Sequence, residues 1–180
     1  MLDDAAAAQS PPLPNHLRSQ AKVAEALSWH DRINLAIVPI GSWDPPQSQL
    51  YDSITPDERR ELLDAGVRAD TSTVLISRSG EILTPPLSQR MIGITGEQLR
   101  RIPEVVALAG GVEKADAVGV VLSAGFVTTL ITNASVTQQL LRQDSAALTV
   151  TIVICARDGW TLKTLAEMAP ESSFTTPGKG

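Results

Sequence analysis

Residues 105–141 read VVALAGGVEKADAVGVVLSAGFVTTLITNASVTQQLL. The run Val105–Ala109 is short and apolar, which is typical of a buried strand, and Gly110-Gly111 predicts a tight turn directly after it. The pattern then predicts a helix, a second strand and a second helix, at residues 112–123, 127–132 and 134–141. Because the connections are short, this β-α-β-α series favours a parallel sheet with right-handed crossovers.

Similar signals extend the alternation of strands and helices toward both ends of the chain. Helical spacing of apolar residues, or a capping residue before them, predicts helices at 17–29, 56–65, 96–99 and 161–168. Short apolar runs predict strands at 33–38, 73–76, 81–83, 90–94 and 149–155. Two prolines and a glycine predict irregular structure over Gly41–Pro46. The predicted fold class is therefore α/β, with an open, mostly parallel sheet flanked by helices.

Composition restricts the classes of function that the chain can perform. The 180 residues are 43% hydrophobic and only 3% aromatic, so one domain with an aliphatic core is expected. The formal net charge is −5 and the basic residues form no stripe, so a nucleic-acid-binding surface is not expected. The single cysteine, Cys155, and the histidines His16 and His30 are not spaced like metal ligands. We expect neither a metal nor another cofactor.

The sequence also bears on location in the cell. The N-terminus is acidic and lacks an apolar signal segment, and no apolar run is long enough to span a bilayer. We therefore expect a cytoplasmic protein with no membrane partner.

The candidate ligand-binding residues lie at three places where a predicted strand ends and a loop begins. In an open parallel sheet such places meet at one edge, where ligands bind. Glycines let backbone N–H groups approach a ligand, and a lysine in the first turn of a helix adds positive charge, so the second place suits a phosphate. The three places contribute Gly41 and Ser42, then Gly110, Gly111 and Lys114, and finally Asn133.

Each of these patterns has a structural alternative. A Gly-Gly pair before a helix is often only a tight turn, and Lys114 can be a solvated surface charge. Trp43 can stack on a sugar ring or fill the edge of the core. Ser42 lacks the flanking residues of a nucleophile elbow, and no histidine lies in a loop at the predicted strand ends, so catalysis is not expected.

Five segments, in the same order, resemble the sugar-binding domain of SorC-type (DeoR-like) bacterial transcriptional regulators. Val105 to Lys114, with Ala117 and Leu122, is similar to the family's Ala-Gly-Gly-x-x-Lys-x-x-Ala-Ile signature. Residues 17–44 are similar to its helix followed by an Asp-Leu-Ala-Leu-Val-Gly-Ile-Gly-Ser strand and loop. The other matching segments are 62–70 with the turn at Gly80, 90–99 and 128–141.

The resemblance implies a Rossmann-like fold related to sugar-phosphate isomerases, a phosphorylated sugar as effector, and assembly as a homodimer or homotetramer. It also implies that Lys114 contacts the phosphate, that Asp70 hydrogen-bonds sugar hydroxyls, and that the three glycines named above shape the pocket. The chain departs from the family pattern at three positions. Pro39 replaces a glycine, Ala69 replaces the glycine before Asp70, and Asn133 replaces an aspartate.

The resemblance also predicts how the chain is organised. The family's helix-turn-helix and its Gly-x-Thr-Leu phosphate loop are not seen ahead of the matching region, so DNA contact is expected only through a helix-turn-helix absent from this chain. Gly159-Trp160-Thr161-Leu162 repeats the loop's pattern, either by coincidence or as the missing element from a permuted order or a neighbouring chain. The predicted parts are a linker or disordered lead-in, an effector-binding portion, an added strand–helix element and a disordered tail, at 1–16, 17–142, 143–170 and 171–180.

We therefore predict the effector-sensing and oligomerisation domain of a SorC-like regulator, which is not an enzyme. One rival is a sugar-phosphate isomerase- or lactonase-like enzyme on the same scaffold, with Asp70 or Asp44 as general base. The other rival is a degenerate domain that only dimerises, in which another subunit covers an exposed sheet edge.

Overall fold

The computed structural model describes residues 13–143, 150–156 and 159–164. Its strands, in chain order, are β1 (Leu35–Pro39), β2 (Gly41–Trp43), β3 (Pro46–Gln47), β4 (Val67–Thr71), β5 (Val74–Ser77), β6 (Ile82–Leu83), β7 (Glu104–Leu108), β8 (Thr129–Asn133), β9 (Thr151–Ala156) and β10 (Gly159–Thr164). Its α-helices are α1 (Leu13–Arg18), α2 (Ala21–Ser28), α3 (Gln49–Ser53), α4 (Pro56–Asp64), α5 (Gly96–Arg101), α6 (Ala115–Ser123) and α7 (Ala134–Arg142). Short 3-10 turns cover His30–Arg32, Pro86–Arg90 and Val112–Lys114.

The first sheet has the strand order β1-β7-β8-β9-β10. Its first four strands run parallel, and β10 pairs antiparallel with β9. Helices α6 and α7 make the connections from β7 to β8 and from β8 to β9. The sequence prediction of a mostly parallel α/β sheet flanked by helices is confirmed.

One face of the parallel sheet forms the main core. Val105, Ala107, Leu130 and Ile152 on that face are almost fully buried and pack with the apolar side of α6. Alternate strand residues point to opposite faces, so the intervening side chains lie on the other face. Those side chains are half-buried or exposed, with Ile37 at 64% exposure.

The second sheet is antiparallel and has the order β3-β2-β4-β5-β6. The prediction of irregular structure over Gly41–Pro46 is wrong, because β2 and the start of β3 lie there. Pro46 is compatible with a strand because β3 lies at the edge of the sheet. An edge strand can contain a proline, since the backbone N–H that proline lacks is not needed for pairing on its open side.

Strand β4 was not predicted, and it is the central strand between β2 and β5. Its sequence, Val-Arg-Ala-Asp-Thr, has no simple alternation because Asp70 and Thr71 are both buried polar residues. The register also shifts between Val67 and Ala69. By contrast, the hairpin predicted from Thr73 to Leu83 is confirmed as β5 and β6.

Two further predictions are corrected. Residues 90–94 were predicted as a strand, but a 3-10 turn ends at Arg90 and residues 91–94 form no regular element. Residues 161–168 were predicted as a helix, but Thr161–Thr164 lie in β10, paired residue by residue with β9. The Gly159–Leu162 segment is therefore part of a strand and not a loop that leads into a helix. Residues 165–180 lie outside the described residues.

The N-terminal part also differs from the prediction of a single helix starting at Leu17. Helix α1 begins at Leu13, and a break at Ser19-Gln20 separates it from α2. The predicted lead-in before Leu13 lies outside the described residues. None of the helices that the structure describes is both long enough and apolar enough to cross a bilayer.

The capping predictions for α4 and α5 are confirmed. Thr55 and Glu58 form a reciprocal capping box at the start of α4, and Thr95 and Gln98 form the same box at α5. Glu58 accepts hydrogen bonds from the backbone N–H (2.8 Å) and hydroxyl (2.9 Å) of Thr55, and it pairs with Arg90. These contacts lower the pKa of Glu58 from 4.5 to about 2.

A lowered carboxyl pKa means that the Glu58 contribution to stability is complete above pH 4.5 and is lost as the pH falls toward 2. Glu58→Gln keeps the box, because Gln98 serves the same role in α5. We expect this variant to melt at a lower temperature than wild type near neutral pH and to converge with it in acid. Thermal unfolding between neutral pH and pH 2.5 measures the difference. A difference that stays constant with pH would contradict this account, and Glu61→Gln on the same helix is the control.

Candidate functional site

The predicted ligand-binding residues gather around the carboxyl edge of the parallel sheet. The ends of β1 and β7 are adjacent, because Pro39 pairs with Leu108, and Leu108 in turn pairs with Ile131 near the end of β8. The chain then leaves β1 at Ile40-Gly41 and leaves β7 at Gly110-Gly111. Six of the seven predicted residues, all except Ser42, lie around this edge.

Lys114 lies at the end of the 3-10 turn that precedes α6. Its half-buried side chain reaches across to β1, where its Nζ donates a hydrogen bond to the carbonyl oxygen of Ile40 (3.2 Å). An ammonium group has three donors, so this bond leaves donors for a ligand. Gly111 starts the turn with a φ of 95°, a left-handed conformation that favours glycine.

The Gly-Gly turn presents unused backbone donors. Among the residues that the structure describes, none accepts a hydrogen bond from the N–H of Gly110, Gly111 or Val112. Asn133 stands beside the turn, with its Nδ2 3.8 Å from where a Cβ on Gly110 would lie. The Asn133 Oδ1 caps α7 by accepting from the N–H of Val136 (3.1 Å), which leaves Nδ2 as a donor toward the turn.

Asp70 lies in β4, opposite Gly41 of β2. Its carboxylate is buried, and Oδ1 accepts a hydrogen bond from the indole N–H of Trp43 (2.7 Å). Burial raises the pKa of the Asp70 carboxyl above its ordinary value, whereas hydrogen bonds from Ser48 and Trp43 and the charge of Lys114 act in the opposite direction. Because the pKa is raised on folding, ionisation of Asp70 opposes folding as the pH rises above the ordinary value.

Gly41 is required by space. A Cβ there would lie 2.4 Å from Asp70 Oδ1 and 2.7 Å from Oδ2, so the Asp70 carboxylate covers the face of Gly41 directly. The family resemblance assigned Gly41 and Asp70 to one pocket, and the structure brings them into contact.

Ser42 is placed differently from the other predicted residues. Successive strand residues face opposite sides of a sheet, so Ser42 faces away from Gly41, Trp43 and Asp70. It is fully buried, and its Oγ has no hydrogen-bond partner among the residues that the structure describes. The structure therefore does not bring Ser42 together with Asp70.

Two residues near the edge were not predicted as site residues. Trp43 was considered either as a stacking surface for a sugar or as a core residue, and the structure buries it against Leu62, Val67 and Leu75. Trp43 can donate to Asp70 because β2 and β4 pair, and no local feature of the sequence predicts this pairing. Glu113 is the second residue that was not predicted. One of its carboxylate oxygens lies 2.5 Å from where a Cβ on Gly111 would lie, so it stands beside the Gly-Gly turn.

In the part of the chain that the structure describes, no group of three or more His, Cys, Asp or Glu residues could hold a metal ion. Asp44, the second carboxylate considered as a general base, is exposed and lines a separate cleft with Arg68, Arg78 and Asp116.

Gly41→Ala tests the close packing of Gly41 against Asp70. Because the added methyl group overlaps the carboxylate, we expect the free energy of unfolding to fall by about 1–3 kcal/mol. Gly110→Ala is the matched control, since its nearest neighbouring atom would be 3.8 Å away, an ordinary contact distance. Chemical denaturation of both variants measures the effect. Equal stability of Gly41→Ala and wild type would show that the carboxylate is not held over Gly41.

Comparison with solved structures finds domains of bacterial transcriptional regulators. The sugar-binding domain of a transcriptional repressor from Vibrio fischeri is 28% identical, and the match covers 73% of this chain and 53% of that chain with a TM-score of 0.66. A DeoR family transcriptional regulator from Listeria monocytogenes is 26% identical, with 68% and 51% covered and a TM-score of 0.60. The full-length sorbitol operon regulator SorC from Klebsiella pneumoniae shares the fold, with a TM-score of 0.67 at 20% identity over 73% and 43% of the two chains.

The chain thus spans about half of the length of these relatives. No protein of curated function matches it. The profile of one protein family, described as "Putative sugar-binding domain", matches residues 2–142. This match covers most of the chain and includes every residue of the carboxyl edge described above. The chain therefore belongs to this family of sugar-binding domains, and its structural relatives are the sugar-binding domains of SorC- and DeoR-type transcriptional regulators.

Proposed function

We propose that the carboxyl edge of the parallel sheet binds a phosphorylated sugar and that the domain senses this effector without chemical conversion. The observation that carries the proposal is that the Lys114 ammonium and the unused N–H groups of the Gly110-Gly111 turn lie at the same edge of the parallel sheet. An anion in this position would receive hydrogen bonds from a full positive charge and from several backbone dipoles.

Asn133 supports an anion at the same place. Its Nδ2 adds a neutral donor beside the turn, whereas the aspartate found there in the family pattern would place a second negative charge close to the phosphate. The departure from the family pattern at this position is therefore compatible with phosphate binding. Glu113 acts in the opposite direction, because its carboxylate lies over Gly111 and would repel an anion.

Asp70 would bind the sugar moiety of the ligand. A carboxylate can accept about four hydrogen bonds, and Ser48 and Trp43 use two of these positions. Sugar hydroxyls are suitable donors for the others. Lys114 bonds to the carbonyl of Ile40, and the Asp70 carboxylate lies against the next residue, Gly41. The positive and the negative part of the proposed pocket are therefore near one another.

In a full-length regulator, effector binding would shift the population of assembled states. We assign this sensing role to residues 17–142, with β9 and β10 extending the same sheet. In such a regulator, contact with DNA would be made through a helix-turn-helix. For the isomerase- or lactonase-like alternative, Asp70 is the remaining candidate general base, because Asp44 lines another cleft.

Lys114→Ala tests the anion site. A ligand at a hundred times its dissociation constant stabilises the folded state by about 2.7 kcal/mol, which raises the melting temperature by roughly 5–10 °C for a chain of this size. We expect this shift with pentose or hexose phosphates and not with the parent sugars. Lys114→Ala should weaken binding by about 10-fold or more, because it removes a charged donor. Glu113→Gln should strengthen binding, and the opposite signs of the two variants are the control for general damage.

If no sugar phosphate raises the melting temperature of the wild-type chain, the effector proposal is wrong. Turnover of a ring-opened sugar phosphate that Asp70→Asn abolishes would instead favour the isomerase- or lactonase-like rival.

We also propose that the chain self-associates through β1. Parallel sheets are normally covered on both faces, yet Leu35, Ile37 and Leu108 are 48%, 64% and 42% exposed on one face of this sheet. The carbonyl of Asn34 bonds to the N–H of Glu104, so the alternate residues Leu35 and Ile37 direct their backbone groups away from β7. Within the described residues, β7 is the single strand that pairs with β1.

We expect a second copy of this chain to pair with the free edge of β1. Two identical strands can pair antiparallel across a two-fold axis, which satisfies the same groups on both copies. Strand β1 carries no charged side chain, so the pairing does not bring like charges together although each chain has a net charge of −5. The apolar faces of the two sheets would then be continuous.

Ile37→Lys tests this surface. Because a charge on an exposed edge strand opposes strand addition, we expect the variant to be monomeric in sedimentation equilibrium at concentrations where wild type is dimeric or larger. Leu17→Lys, which changes an exposed leucine on α1, should leave the association unchanged. A wild-type chain that is monomeric at every concentration tested would overturn the proposed self-association.

A further inference from the structure

We propose that Trp43 is a positioning residue for the effector site: its indole N–H fixes the orientation in which the Asp70 carboxylate meets the hydroxyls of the sugar. The inference rests on the proposed function of the carboxyl edge. It adds a residue that the family resemblance did not assign and that does not itself reach the phosphate side of the site.

The geometry restricts Trp43 and Asp70 to one arrangement. The distance from Nε1 to Oδ1 is 2.7 Å, and both side chains are almost fully buried. Gly41 also restricts the carboxylate. Because Gly41 has no side chain, the carboxylate has just enough space to lie flat against the backbone of β2. A buried hydrogen bond to an ionised acceptor is among the stronger hydrogen bonds in proteins.

The indole ring is itself held in place by its neighbours. Tyr51 packs edge-on against it, with ring centroids 5.3 Å apart and planes at 85°, and the Arg59 guanidinium covers the Tyr51 ring. Arg59 is anchored by a hydrogen bond from its Nε to the carbonyl of Tyr51 (2.6 Å). The orientation of the Asp70 carboxylate therefore depends on packing between α3, α4 and the second sheet, on the side away from the parallel strands.

The same hydrogen bond opposes the protonation of Asp70. Burial raises the pKa of this carboxyl, while Ser48, Trp43 and Lys114 lower it. Lys114 is the charged group that acts on Asp70, and it approaches from the parallel sheet. Removing the indole donor would thus shift Asp70 toward its neutral form, which donates one hydrogen bond and accepts fewer.

Trp43→Phe tests the inference, because it retains an aromatic ring in the core and removes only the N–H and the second ring. We expect the dissociation constant for pentose or hexose phosphates to rise by about 10-fold or more, and that for inorganic phosphate to stay unchanged. The pKa of the Asp70 carboxyl, followed by carbon NMR in the ligand-free protein, should rise. Tyr51→Phe is the matched control, since it keeps the edge-on ring and leaves the indole N–H in place.

A double-mutant cycle separates positioning from a general loss of packing. If Trp43 acts through Asp70, then Trp43→Phe should not weaken sugar phosphate binding further in an Asp70→Asn background. Additive effects of the two substitutions, or equal affinity in Trp43→Phe and wild type, would overturn the inference. A wild-type chain that binds inorganic phosphate but no sugar phosphate would also overturn the inference about Trp43. That result would still be consistent with the proposed anion site. Failure to bind either ligand would overturn the proposed function itself.

Discussion

The structure depends on the parallel pairing of β7 with β1 on one side and with β8 on the other. Strand β1 is far from β7 in the sequence, and the whole antiparallel sheet lies between them along the chain. Pairing them in register places Pro39 beside Leu108 and so brings the Ile40 carbonyl within reach of Lys114. Without this register, the candidate site would consist of separate loops. The buried face of Val105, Ala107 and Leu130 stabilises the register, because a slip by one residue would turn these side chains away from the core.

The candidate site lies where the two sheets meet, and each sheet supplies a different kind of group. The parallel sheet presents donors and positive charge through the Gly110-Gly111 turn, Lys114 and Asn133. The antiparallel sheet presents a buried carboxylate, Asp70, which costs free energy to ionise and is partly compensated by Trp43 and Lys114. A buried charge of this kind is unfavourable for folding alone. Under the proposed function, a polar ligand would use this charge.

Glycines have different roles on the two sides of the site. Gly111 adopts a φ that side chains rarely allow, so its requirement is conformational. Gly41 has no such conformation, and its requirement is the space that Asp70 occupies. Both reasons lead to a glycine in the sequence. Only the reason at Gly41 depends on a residue that is distant along the chain, Asp70.

The local signals in the sequence determined the elements whose stability is local. The β-α-β-α series from Val105, the caps at Thr55, Thr95 and Asn133, and the hairpin at Gly80 were all predicted, because hydrophobic period, capping residues and turn glycines act over a few residues. The cluster at the carboxyl edge was also anticipated, because parallel strands end at a common edge. Tertiary structure alone decided the second sheet, with β2 and β4 as its centre, since short strands with buried polar residues have no clear period. It also decided that β10 is a strand, because pairing with β9 outweighs a weak helical pattern, and that Trp43 meets Asp70, because that contact arises only when β2 and β4 pair.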